Sequence, residues 1–139
     1  MTRFVLDASY AMSWVTESEQ TPGALKYLHE LGQLEAEALV PALWCDEIAN
    51  VLLTMQRSKK LSHDQLVEWM DAFCTLPITV YPASVDQSLA EVWPLAQAHG
   101  LTAYDASYLH LAMFEQVPLA TMDRHLIKAA PKVGVNLLQ

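Results

Sequence analysis

The feature that most constrains this chain is a rhythm: short apolar runs alternate with longer stretches of helical spacing. Five runs read as β-strands, Arg3–Leu6, Ala38–Val40, Ile78–Tyr81, Leu119–Thr121 and Val135–Leu138, each bounded by proline, glycine or polar residues. A helix-like stretch follows Asp7. Thr21-Pro22 then pairs an N-cap with a proline at the first helical position, opening a helix that ends near Gly32. Further helices are expected from about Leu43 to Lys59, Ser62 to Phe73, Ser84 to Gly100, Ala103 to Gln116 and Asp123 to Ala130. Pro94 falls inside the third of these and should kink or split it. Strands separated by helices favour a mainly parallel central sheet with helices on both faces, and no linker or repeat divides the chain, so residues 1–139 are expected to form one α/β domain.

Composition supports a packed globule. Hydrophobic residues make up 53% of the 139 and charged residues 17%, against disorder. No apolar stretch is long enough to cross a bilayer, and Asp7 interrupts any secretory-type leader, which makes a soluble cytoplasmic protein the expectation. Cys45 and Cys74 form no C-x-x-C pair and read as buried free thiols. None of the five histidines pairs with another at i+3 or i+4, so the spacing offers no zinc site. The net charge of −8 disfavours binding that rests on neutralising many phosphates. It suits either a basic partner or a carboxylate cluster that recruits cations.

Four carboxylates hold the interest. Asp7 and Asp123 stand just beyond strand candidates, where functional groups gather in open α/β sheets. Asp105 lies in the first turn of its helix, in line with Leu109, Ala112 and Gln116. Glu47 interrupts a face carrying Leu43, Val51 and Met55, with Asn50 and Thr54 as neighbours able to hydrogen-bond it. Asp46 points about 100° away and reads as a surface acid. Each has a plain alternative: Asp7, Asp105 and Asp123 as helix caps or first-turn acids, Glu47 as the partner of a lysine or arginine. Together, in a chain with eight basic residues, they leave few cations to neutralise them. An all-oxygen cluster selects a hard cation such as Mg2+ or Mn2+ and suits metal-assisted phosphoryl transfer.

The segments Val5-Leu6-Asp7-Ala8-Ser9, Pro41 to Glu47-Ile48-Ala49-Asn50-Val51-Leu52, Leu101-Thr102-Ala103-Tyr104-Asp105-Ala106 and Leu119-Ala120-Thr121-x-Asp123 resemble the PIN-domain ribonucleases. Their order and spacing are similar to the VapC-type toxins of bacterial toxin–antitoxin pairs. The resemblance covers essentially the whole chain. It implies a three-layer α/β/α, Rossmann-like PIN fold and an Mg2+- or Mn2+-dependent endoribonuclease. Asp7, Glu47, Asp105 and Asp123 match the family's acidic quartet. Asp7, Asp105 and Asp123 are the metal ligands so implied, and Glu47 acts through water or a second ion. Ser9, Asn50 and Thr121 match polar positions expected to orient the carboxylates or contact metal-bound water. Implied partners are an RNA substrate, a cognate antitoxin that enters the active-site region, and a second copy in a homodimer, with no membrane.

Outside the quartet, Arg124 is a candidate RNA contact, with Lys128 one helical turn on, and the Arg57/Lys59/Lys60 group is a weaker one. Trp14, Trp44, Trp69 and Trp93 read as packing or interface residues. Cys45 and His125 lack the partners of a nucleophilic site. Two other functions fit the same residues: a non-catalytic PIN-like module that binds a basic segment, and a DNA-directed PIN-like nuclease. A phosphatase of the haloacid-dehalogenase type needs an acid two residues after Asp7, where this chain has Ser9.

Overall fold

The computed structural model describes residues 1–139. The chain begins with β1 (Thr2–Leu6), α1 (Ala8–Val15), a 3-10 turn over Glu17–Glu19, α2 (Pro22–Gly32) and β2 (Ala36–Pro41). Then come α3 (Leu43–Arg57), α4 (His63–Thr75), β3 (Ile78–Tyr81), α5 (Val85–Gln87), a wide π-type turn over Ser88–Val92, and α6 (Trp93–His99). It closes with α7 (Ala103–Glu115), β4 (Leu119–Ala120), α8 (Arg124–Ala129) and a 3-10 turn over Ala130–Val133.

The four strands form one all-parallel sheet in the order β3-β2-β1-β4. Phe4, Val5 and Leu6 are all at 0% exposure, so both faces of β1 are covered. This is the three-layer α/β/α arrangement expected of a parallel sheet. α7 packs on β1 and β2, and α2 and α3 pack on β2. The core is one cluster of 29 buried residues, with a satellite of Val92, Ala96 and Ala106 beneath α6. Trp14 anchors the core: it is fully buried, its indole N–H donates to the Ala24 carbonyl at 2.9 Å, and its ring stacks on Phe73. Trp44 and Trp69 also pack on Phe73, which ties α1, α3 and α4 together. Trp93, by contrast, is 55% exposed.

Local chemistry sets the element ends. Thr21 accepts from Ala24 N–H ahead of Pro22, and Ser62 makes a full capping box with Gln65. The expected disturbance at Pro94 is met one turn earlier: the π-type turn widens the helix before α6 restarts with the proline in its first turn, where no N–H is needed. α6 ends at Gly100, whose φ of +63° is the left-handed conformation glycine adopts freely.

Two expectations need correction. Val135–Leu138 is not a fifth strand; it makes a single parallel bridge, Leu137 to Leu119. β4 is only two residues long, so it offers no ladder to extend. Both cysteines are free, but exposed rather than buried. Cys45 lies beside the inward-facing Trp44 yet one step round the helix, on the outer face.

Candidate active site: a carboxylate cluster at the carboxyl edge of the sheet

In a parallel sheet every strand delivers its carboxyl end to the same edge, and each crossover helix runs back against the strands. The N-termini of those helices therefore face the same edge. Asp7 follows β1, Thr121 and Asp123 follow β4, Glu47 sits in the second turn of α3 and Asp105 in the first turn of α7. The chain lays β2 and β3 on one side of β1 and later inserts β4 on the other. The gap between β1 and β4 is thus the topological switch point, where α/β sheets bind ligands. Asp7 lies there, its N–H bonded to the Ala120 carbonyl at 3.0 Å.

Asp7 occupies the N-cap position of α1 but its side chain makes no capping bond, which removes the simple helix-cap explanation. Its carboxylate is 4% exposed. Oδ2 instead accepts from the Ser9 hydroxyl at 2.6 Å and the Thr121 hydroxyl at 2.7 Å. Those hydroxyls are themselves held: Met122 N–H donates to Ser9 Oγ at 2.9 Å and Asp123 N–H to Thr121 Oγ1 at 3.0 Å. One carboxylate oxygen thereby ties α1 to the loop after β4. Burial holds the Asp7 carboxyl above the ordinary carboxylate range; the two hydroxyls pull it back and the charge of Asp123 adds to the rise.

Asp123 does cap a helix. Its Oδ1 accepts from the N–H groups of His125 and Leu126 at 2.9 and 3.0 Å, leaving Oδ2 without a hydrogen bond. Asp105 is half-buried in the first turn of α7, where its N–H bonds the Thr102 hydroxyl. Burial raises its carboxyl, and the charges of Asp123 and Asp7 raise it further, while Thr102 and His125 offset them. Leu109 and Ala112 on its side are buried, but Gln116 is exposed, because the helix ends there in a left-handed residue.

Glu47 stands at the edge of the buried stripe of α3, which runs Trp44–Ile48–Leu52–Met55, one step round from the stripe expected from sequence. Its hydrogen-bond partner is neither Asn50 nor Thr54. Asn50 is exposed, and the phenol of Tyr108, almost fully buried on α7, donates to Glu47 Oε1. Burial raises the Glu47 carboxyl, Tyr108 lowers it, and Asp7 and Asp105 raise it again. Tyr108 was missed because it lies 61 residues away. Its one visible signal is a place three residues after Asp105, on nearly the same helix face.

The four carboxylates thus share one field, with no lysine or arginine paired to any of them; the chain's ion pairs use Arg3, Lys26 and His110. As placed, no three of these side chains close on one point as a ligand set. Their chemistry still fits a hard divalent cation: the donors are all carboxylate oxygens, partly desolvated, and what they lack is positive charge. Asp46 is exposed and outside the cluster, and Arg124 is exposed beside it.

A PIN-domain family model matches residues 4–132. Ribonuclease VapC3 of Pyrobaculum aerophilum is 33% identical over 136 residues, covering 93% of this chain and 95% of its own. The crystal structure of PAE2754 from Pyrobaculum aerophilum superposes with a TM-score of 0.63 at 22% identity, covering 92% of this chain and 84% of that one. FitAcB from Neisseria gonorrhoeae superposes with a TM-score of 0.60 at 14% identity, covering 98% and 96%. With the family model spanning nearly its whole length and a VapC ribonuclease at this identity, the chain belongs to the PIN-domain family, as one of its VapC-type members.

Proposed function

We propose that this protein is a metal-dependent endoribonuclease, the toxin of a type II toxin–antitoxin pair, working as one nuclease domain over residues 1–139. The observation that carries the reading is Asp7: a buried carboxylate at the switch point, with hydroxyl and backbone N–H donors and other negative charge around it but no cation. Asp7, Asp105 and Asp123 would hold Mg2+ or Mn2+, with Glu47 as the fourth catalytic carboxylate. When bound, such an ion neutralises charge on the scissile phosphate and makes water a better nucleophile near neutral pH. The chain's own residues prepare the rest. Ser9 and Thr121 fix Asp7 Oδ2, so this ligand needs no reordering. Capping fixes Asp123 through Oδ1 and leaves Oδ2 for binding. Tyr108 holds Glu47, whose raised proton affinity suits it to orient water and accept its proton. Asn50, exposed one turn from Glu47, is proposed to contact the metal-bound water, and Arg124, beside Asp123, to contact RNA.

The same deficit of positive charge gives a cognate antitoxin a means of inhibition, by a basic side chain entering the cluster. The VapC name of the relative supports that partner, and a homodimer is proposed on the same ground. No helix is long and apolar enough to cross a membrane, which accords with action in the cytoplasm.

The test is cleavage of structured RNA by purified protein with Mg2+ or Mn2+, with the product ends mapped. Cleavage should stop in excess EDTA and in Asp7→Asn, and leave 5′-phosphate and 3′-hydroxyl ends. Equal cutting with and without EDTA would overturn the reading. Preferential cutting of DNA would favour the DNA-directed alternative.

A further inference from the structure

A second charged site adjoins the acidic cluster. A cavity of about 140 Å³ is lined by His99 from the end of α6, His125, Lys128 and Ala129 from α8, and Lys132 from the closing 3-10 turn. No carboxylate lines it, although acidic residues outnumber lysine and arginine 16 to 8 in the chain. Neither Lys128 nor Lys132 forms an ion pair, whereas Arg3 and Lys26 do. Ordinary surface lysines stand apart in solvent; these converge with two imidazoles on one concavity from three segments. The cavity adjoins the cluster through His125, whose backbone N–H donates to Asp123 Oδ1 at 2.9 Å.

We propose that His99, His125, Lys128 and Lys132 form a phosphate subsite that holds an RNA backbone phosphate outside the acidic cluster. The proposal rests on the ribonuclease reading and names how that substrate is held. Lysine ammoniums and imidazole N–H groups are donors suited to phosphate oxygens, and backbone contacts of this kind position a strand without reading its sequence. The subsite also answers a difficulty of the acidic site. A polyanion approaching four carboxylates needs attraction close by, and this cavity supplies it beside Asp123.

Binding of a fluorescent single-stranded RNA is measured on the Asp7→Asn background with Mg2+ present, between 50 and 200 mM KCl. Adding Lys128→Gln and Lys132→Gln should make the slope of log K against log salt shallower by about 0.7, the value for one phosphate neutralised on a single strand. In the cleaving protein the same pair should lower kcat/KM mainly through KM. Lys26→Gln, on α2 and already paired with Glu30, should leave the slope unchanged. Both lysines of the subsite are exposed, so the melting temperature should hold and any loss is not unfolding. An unchanged slope, or an equal change from Lys26→Gln, overturns the subsite while leaving the nuclease reading intact. A wild-type protein that cuts no RNA, with no binding by the Asp7→Asn form, overturns the nuclease reading itself.

Discussion

Asp7→Asn should make the protein more stable while it abolishes cleavage. Asparagine keeps the shape and an acceptor oxygen for Ser9 and Thr121, and removes a charge that is buried without a cation. The sign follows from the direction of the Asp7 shift: burial and the charge of Asp123 together outweigh the two hydroxyl donors. The native state therefore binds a proton more tightly than the unfolded chain, and stability falls as pH rises through the elevated native value. A gain near 1 kcal/mol would raise the melting temperature of a domain this size by roughly 3 °C. Thermal unfolding is followed by circular dichroism in EDTA from pH 7 downward. The variant should melt higher at pH 7, and the gap should close as pH approaches the ordinary aspartate value of 3.8, where wild-type Asp7 is neutral as well. Saturating Mg2+ should raise the wild-type transition far more than that of the variant. A variant that melts below wild type at pH 7, or a gap that ignores pH, would refute the reasoning.

Tyr108→Phe removes the donor that lowers the Glu47 carboxyl. The acid limb of the pH–rate profile should move to higher pH and kcat should fall about tenfold, the equivalent of ~1.4 kcal/mol, with KM little changed; an unmoved limb would count against any positioning role. Thr121→Val keeps the shape of a buried side chain but strips Asp7 of one donor and Asp123 N–H of its acceptor. It should destabilise the protein by about 1–3 kcal/mol in chemical denaturation, and an unchanged midpoint would contradict the network.

What could be read from sequence was whatever depends on near neighbours. The run Phe4-Val5-Leu6 announced a strand covered on both faces, and all three residues are at 0% exposure. Thr21-Pro22 and Ser62 announced helix starts because a cap acts within one turn of its own position. Asp7 and Asp123 were legible for a related reason, since each immediately follows its own strand. Tyr108 and Glu47 were not legible as a pair, because only the packing of α7 across β1 and β2 brings them together. The tail Val135–Leu138 has a strand's composition, yet ladder length depends on the neighbour, and β4 stops after two residues. The stripe of α3 was misplaced by one position because Leu43 and Val51 are as apolar as the residues that face inward. Hydrophobicity alone does not register a helix against a core it has not yet met.

The bonds from Ser9 and Thr121 to a single Asp7 oxygen also set an order of events during synthesis. Ser9 is made two residues after Asp7, but Thr121 follows 114 positions after it. β4 belongs beside β1, so that edge of β1 stays open until Leu119 and Ala120 have been translated. Contacts this distant in sequence form late. Until Thr121 emerges, Asp7 has only Ser9 of the two hydroxyls that seat it, and a fragment truncated before β4 would hold the opening motif without the assembled cluster.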